Sequence, residues 1–499
     1  MEQQSVWKNY DLKTQDECLA FAEDYRRFLS DNKTERECVD FFVNEAKKAG
    51  FTALGDAVAE GRELKPGDGV YQVWMNKSIV LFRIGKEPME KGLNILGAHI
   101  DSPRMDVKQN PVYENGGFAY LDTHYYGGIK KYQFVALPLS LHGVIVKKNG
   151  ETVTLKVGEN EEDPVFFISD LLIHLAQDQM QKSAAKVIEG EALDLIVGNK
   201  PIIIDSETKP EKPAGADWDA LKKTEKDDES EEKDKKKEKK AAKEAVKAVL
   251  LEILEKNYGI AEEDFISAEL EVVPAGKARD AGFDRSMILG YGQDDRVCAY
   301  PSFRAIAESP VPERTGVCLL VDKEEIGSVG ATGMQSRFFE NALAEVLSLA
   351  GQYSDLALRR TLANSCMLSS DVSSAYDPHW AECFDSKNVA YIGNGMVLNK
   401  FTGSRGKSGS NDANAEYIAH LRGIFDRNGV SIQTAELGKV DVGGGGTIAY
   451  ILALYGMNVI DSGVPVLNMH APFEATSKAD IYEAFRGYKA FLAEASLMN

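Results

Sequence analysis

The chain has 499 residues, 43% of them hydrophobic and 27% charged, which excludes disorder throughout and leaves two domains, or one large domain with an insert. With 58 basic against 78 acidic residues the formal net charge is −20, which argues against nucleic acid or an anionic membrane surface as a partner. Met1 to Glu23 lacks the apolar core of a secretory signal, no long uncharged apolar run offers a membrane span, and Cys18, Cys38, Cys298, Cys318, Cys366 and Cys383 form no C-x-x-C pair; a reducing, cytoplasmic setting is the expectation.

In chain order, residues 13–49 read as two helices, the second beginning near Thr34-Glu35 and carrying Phe41, Phe42 and Ala46 on one stripe. Gly69 to Trp74 and Ser78 to Phe82 read as strands, and Leu93 to Ala98 as a short buried strand that runs directly into His99-Ile100-Asp101. From residue 107 to about 205 the pattern turns to short strands (Val144 to Val146, Thr152 to Val157), with one helical stretch expected over Ser169 to Met180. Residues 207–243 are dominated by Lys, Glu and Asp and cannot bury a core, so a surface loop is expected there, running into an amphipathic helix over Ala245 to Tyr258.

Beyond Ser286 the pattern alternates regularly. Strands are expected at Gly316 to Val321, Ser365 to Ser369, Gly429 to Gln433 and Gly463 to Asn468. Helices are expected at Ser336 to Gly351, Asn411 to Asn428, Gly446 to Tyr455 and Lys478 to Met498. Such alternation implies an α/β fold with a mixed, mostly parallel sheet sandwiched by helices.

Five short clusters combine acidic or His side chains with these elements: His99-Ile100-Asp101, Asp294-Asp295-Arg296, Asp322 to Gly327, Ser369-Ser370-Asp371 and Asn468-Met469-His470. Four follow an apolar strand, and in a parallel sheet the C-terminal strand ends form one rim where ligands bind. Several carboxylates on such a rim would repel one another and raise their own pKa values, a conflict that divalent cations remove. Two imidazoles with several carboxylates suit zinc, or cobalt or manganese. So many ligands point to a pair of ions bridged by a carboxylate, about 3.5–4 Å apart. Adjacent Glu324 and Glu325 suggest a division of labour, one binding metal and the other facing a water. The side-chain-free run Gly443 to Gly446 lets backbone approach a substrate.

Gly97-Ala98-His99-Ile100-Asp101-Ser102-Pro103-Arg104 resembles the first signature of the aspartyl aminopeptidase family. Asp294-Asp295-Arg296, Glu324-Glu325-Ile326-Gly327, Ser370-Asp371, Asp441 to Ile448 and Met469-His470 follow in that family's order. The resemblance implies a di-metal exopeptidase that hydrolyses N-terminal residues from peptides with a metal-activated water. Its catalytic domain would occupy residues 1–106 and 281–499, with a β-rich dimerisation domain inserted at 107–280, in a homo-oligomer that in the family is a tetrahedral dodecamer. It also makes His99 and Asp371 ligands of one ion, Glu325 and His470 ligands of the other, and Asp294 the bridge. Asp101 would orient His99, Glu324 would be the general base, and Gly444 and Gly445 would lie against the substrate. Departures from the family at Tyr126 to Tyr132 and around Leu398 to Ser410 mark a divergent bacterial-type branch.

The same chemistry serves two rivals, an N-acyl amino acid deacylase on the same scaffold and a non-catalytic assembly stabilised by metal; the spare Glu324 argues against the second. The resemblance implies a preference for N-terminal Asp or Glu, for which Lys130, Lys131, Lys400, Arg405 and Lys407 are the available cations. The departures fall in the stretches that carry them, so apolar or neutral N-terminal residues are expected to be accepted at least as well as Asp, with Lys400 the substrate-contacting lysine.

Overall fold

The computed structural model describes residues 5–201, 245–403 and 406–496. The charged segment 207–243 and Arg405 therefore fall outside the described residues. The chain divides into two compact units, one of Met1–Arg104, Tyr126–Gln133 and Gly276–Asn499, the other of Met105–Tyr125 and Phe134–Ala275.

The first unit begins with helices Leu12–Asp31 and Glu35–Lys48. Asp11 caps the first by accepting the Thr14 N–H, and a Thr34/Glu37 capping box starts the second. The second helix buries Cys38, Val39, Phe42 and Ala46, one stripe at helical spacing, while Phe41 is half-buried.

Among the described residues the first unit carries a nine-stranded sheet. In spatial order it runs Phe51–Ala53, Gly69–Trp74, Ser78–Arg83, Gly316–Val321, Asn94–His99, Cys366–Ser369, Asn458–Gly463, Met396–Asn399, Ile432–Thr434. The four strands from Gly316–Val321 to Asn458–Gly463 are mutually parallel, and antiparallel neighbours flank them. Alternate residues go to opposite faces, so both must be apolar. Leu96, Cys318, Leu320 and Leu368 pack with Phe303, Tyr488 and Phe491 on one side, while Ile95, Val317, Leu319 and Met367 pack with Phe338, Leu343 and Val346 on the other.

Register places the chemistry. His99 lies opposite Val321, and Gly97 opposite Ser369. The residues that follow, Ile100-Asp101, Asp322 to Glu325 and Ser370-Asp371, therefore leave the sheet on one rim.

The expected last strand is displaced. The sheet uses Asn458–Gly463, and Pro465–Val466 pairs instead with Ser373–Ser374 in a separate two-stranded ribbon. Pro465 has no N–H to give a central ladder. The helix expected from Gly446 is confined to Ala449–Ala453, because four glycines, Gly443 to Gly446, and Thr447 precede it.

The second unit holds a six-stranded sheet among the described residues, ordered Thr152–Val157, Leu139–Val146, Ala268–Pro274, Arg104–Asn115, Phe118–Tyr126, Leu195–Gly198. Over Ser169 to Met180 there is no α-helix, only the single turns Ile173–Leu175 and Gln179–Gln181. The Asp170 carboxylate accepts the N–H of its neighbour Leu171 and the Gln179 amide, a local bond that competes with helical pairing. Leu175 and Met180 in this stretch are 71% and 66% exposed.

Candidate metal centre

His99 ends its strand fully buried, with the ring turned so that its two nitrogens serve different purposes. Nδ1 faces Asp101, 3.0 Å from the carbonyl oxygen and 3.3 Å from Oδ1. Nε2 points into the rim, 3.1 Å from Asp294 Oδ1. His470 mirrors it: Nδ1 is 2.9 Å from the Gly128 carbonyl oxygen, and Nε2 is 3.2 Å from Asp294 Oδ2. One carboxylate thus presents one oxygen to each imidazole.

Asp294 and Asp295 head the helix Gln293–Ala307 with non-helical dihedrals. Asp294 faces the two histidines. Asp295 turns away, and its Oδ2 accepts the backbone N–H of His99 at 3.4 Å. Asp371 follows the strand Cys366–Ser369, and its backbone is pinned from behind: a Cβ at Gly463 would fall 1.8 Å from the Asp371 carbonyl oxygen.

Glu324 and Glu325 sit in a single turn after Lys323, whose φ of 74° is left-handed. Asp101 holds that turn in place. Its Oδ1 accepts the Glu324 N–H and its Oδ2 the Glu325 N–H, both at 3.2 Å. Glu325 Oε2 comes 3.7 Å from His470 Nε2, and Glu324 Oε2 comes 3.9 Å from His99 Nε2. His470 itself adopts φ 66°, a strained conformation of the sort that is held only where surrounding contacts demand it.

Glu474, absent from the expected set, supplies part of that demand. It is buried at the head of the strand Glu474–Ser477, where Oε1 accepts the His470 N–H at 2.7 Å and Oε2 the Asp294 N–H at 3.0 Å. It binds backbone rather than the centre itself. The one sequence signal for it is a lone acid opening a strand four residues after His470.

The electrostatics are those of a site built for cations. Burial pushes the Glu324 carboxyl up to about 7, and burial followed by the Asp294 charge raises Glu325. Asp371 rises through burial and the charges of Glu324 and Asp294. Burial opposes charge on the imidazoles too, yet hydrogen bonds to carboxylates lift His99 well above its usual value and His470 to about 10. Glu325 Oε1 is buried with no hydrogen-bond partner among the described residues, an uncompensated carboxylate oxygen of the kind a metal ion satisfies. Ligand atoms of His99, Asp294 and Asp371 lie within 4.8 Å of one another, and so do those of Asp294, Glu325 and His470. Imidazole nitrogen and carboxylate oxygen without thiolate fit zinc.

A cleft of about 540 Å³ opens over this cluster. Gly444, Gly445 and Gly446 line it with Thr447, as do Val372, Thr402, Leu437, Tyr450 and Met469. No lysine or arginine among the described residues lines it. Lys400, expected against the substrate, is not brought there; its ammonium pairs with Asp412, which also takes Lys407 at 3.0 Å. A neighbouring carboxylate captures both lysines because it neutralises them locally.

Residues 28–492 match the family described as "Aminopeptidase I zinc metalloprotease (M18)". The chain is 54% identical over 491 residues to a probable M18 family aminopeptidase 1 of Clostridium acetobutylicum, covering 98% of each chain. It is similar to the crystal structure of aminopeptidase I from that organism, with a TM-score of 0.86 and 52% identity over 99% of this chain and 100% of the other. An M18 family aminopeptidase structure from Thermotoga maritima gives a TM-score of 0.86 at 40% identity, with the same coverage. Sequence, fold and the His–carboxylate cluster agree: the chain belongs to the M18 family of zinc metallo-aminopeptidases and is a metal-dependent aminopeptidase.

Proposed function

We propose that this aminopeptidase works with two divalent ions, zinc in the first instance, sharing Asp294. His99 and Asp371 complete one site, and Glu325 and His470 the other. The observation that carries this reading is the placement of Asp294, whose two carboxylate oxygens stand 3.1 and 3.2 Å from the Nε2 atoms of two different histidines.

When bound, such ions supply Lewis-acid polarisation of the scissile carbonyl and acidify the attacking water. The chain's own groups do the rest. Asp101 accepts from His99 Nδ1, so that with an ion bound Nε2 would be the nitrogen that gives up its proton, and it is aimed into the centre. Glu324 is the general base. Burial places its carboxyl at about 7, near the pH at which base and conjugate acid are both available. It takes the water's proton and returns it to the leaving amine. The turn Gly443 to Gly446 brings backbone, unobstructed by side chains, against the substrate. Val372, Thr402, Leu437, Tyr450 and Met469 offer the N-terminal side chain an uncharged surface, which favours neutral and apolar residues over Asp and Glu.

The working form is a homo-oligomer. Supporting this, Val165, Phe167, Leu171, Leu172, Ile173, Leu175 and Met180 form an exposed apolar run in the second unit, more than a solvated loop retains without a partner. A solved relative from yeast, 20% identical, is a dodecamer, and the same assembly is proposed here. A cytoplasmic setting agrees with the free thiols of Cys18, Cys298, Cys318, Cys366 and Cys383. No helix among the described residues is long and apolar enough to cross a membrane.

Parallel assays of a Leu-initiated peptide and its N-acetylated form test the reaction class. Cleavage of the free-amine peptide alone is expected. Faster turnover of the acetylated form would assign the site to deacylation instead.

A further inference from the structure

Tyr126, Gly127 and Gly128 are consecutive, and each touches a different part of the metal centre. The Tyr126 hydroxyl donates to Asp101 Oδ2 at 2.7 Å, on the carboxylate whose other oxygen faces His99 Nδ1. The Gly128 carbonyl oxygen accepts from His470 Nδ1 at 2.9 Å. Between them Gly127 packs on Glu325. A Cβ there would sit 3.3 Å from Glu325 Oε2 and from Pro103 Cβ, and the glycine's φ of +76° disfavours any side chain.

The segment is itself held. The Arg104 guanidinium lies 4.0 Å over the buried Tyr126 ring, and Arg104 Nη1 reaches the buried Glu35 carboxylate at 3.6 Å. The ring is thus fixed by its face, independently of its hydroxyl.

Resting on the ligand assignment above, we propose that Tyr126-Gly127-Gly128 braces the metal centre from outside, fixing the outward nitrogens of both imidazoles at once. Tyr126 is a positioning residue: it holds Asp101, which holds His99 and, through the N–H groups of Glu324 and Glu325, the turn that carries the base and a ligand. Outer partners of metal-binding imidazoles set ring orientation and ligand basicity, and losing one typically lowers affinity or activity by about 10–100-fold. Gly128 contributes a backbone carbonyl, so no side-chain change can remove it, whereas Tyr126 can be tested directly.

Tyr126→Phe keeps the ring against Arg104 and deletes the donor. Gly127→Ala leaves the donor and pushes on Glu325. Zinc affinity is read on the full-length protein by competition with a chromophoric chelator, and the melting temperature is read on the metal-free protein. Tyr126→Phe and Gly127→Ala should each bind zinc about 10–100-fold more weakly; Tyr126→Phe should keep KM and the metal-free melting temperature at the parental value, whereas Gly127→Ala, strained at φ +76°, should also melt lower. His99→Ala, measured alongside, tests the ligand assignment separately. If His99→Ala loses zinc while both brace variants keep parental affinity, the brace is wrong and the ligand set stands. Parental affinity in His99→Ala overturns both. In Tyr126→Phe, weaker zinc binding matched by an equal fall in metal-free stability reduces the segment to ordinary packing and also overturns the proposal.

Discussion

Glu324→Gln separates chemistry from metal binding at this centre. Glutamine is nearly isosteric, and the backbone N–H of residue 324 stays on Asp101 Oδ1, so the turn keeps its shape. Glu324 Oε2 stands 3.9 Å from His99 Nε2, close enough for the residue to be mistaken for a ligand; metal content decides. As the general base its loss should lower kcat by about 10²–10⁴-fold, or roughly 3–5 kcal/mol of barrier, with zinc content unchanged. The metal-free protein supplies a second, opposite effect. Burial raises this carboxyl from an ordinary 4.5 to about 7. Below pH 4.5 the group is protonated folded or unfolded and contributes nothing. As pH climbs from there to about 7 the folded state must give up a proton it prefers to keep, and roughly 3 kcal/mol of stability is lost. Metal-free Glu324→Gln should therefore match the parent in melting temperature near pH 4 and exceed it at pH 8. Peptide hydrolysis at saturating substrate, zinc by elemental analysis and melting at the two pH values complete the test. Parental kcat, or loss of an ion with the substitution, would refute the base assignment.

Further outcomes follow from the same geometry. His99→Ala and His470→Ala should each lower zinc content as well as activity, since each leaves a site one ligand short; full stoichiometry in both would sink the proposed centre. Zinc added to metal-free protein in weak buffer at pH 7 should acidify the solution, because His470 at about 10 and the raised His99 hold protons that the ion displaces. Uptake without proton release would contradict that charge balance. Across Asp-, Glu-, Leu-, Met- and Ala-peptides, kcat/KM for Leu, Met and Ala should equal or exceed that for Asp; an acidic preference beyond about 100-fold, or about 2.7 kcal/mol, would overturn the neutral-cleft reading.

The rim of the site was legible because strand ends announce themselves. Ile95 to Ala98 and Gly316 to Val321 are continuous apolar runs, and the parallel ladder between them pairs His99 with Val321, so Asp322 follows directly on the same rim. Asp294 could be told from Asp295 only by family order, since both are acids at a helix head; the structure turns one to the histidines and the other to the His99 backbone. Glu474, Tyr126 and Gly128 carry no sequence mark of a place at the metal centre, for physical reasons. Glu474 bonds to backbone N–H groups, which leave no mark on residue type. Gly128 meets His470 across 342 residues of chain, beyond any local pattern. Lys400 and Lys407 looked available for a substrate carboxylate because sequence does not show that Asp412 takes both. The stretch from Ser169 to Met180 carries apolar residues at helical spacing, yet nothing among the described residues of its own unit buries Leu172, Leu175 or Met180. Periodicity without a surface to pack on does not make a helix.

The central claim is that Asp294 is shared by two ions. Crystals grown with zinc, measured on both sides of the zinc absorption edge, test it most directly. Two anomalous peaks about 3.5–4 Å apart are predicted, one against His99 and Asp371, the other against Glu325 and His470, with an Asp294 oxygen on each. A single peak, or a pair bridged by Asp295, would contradict it.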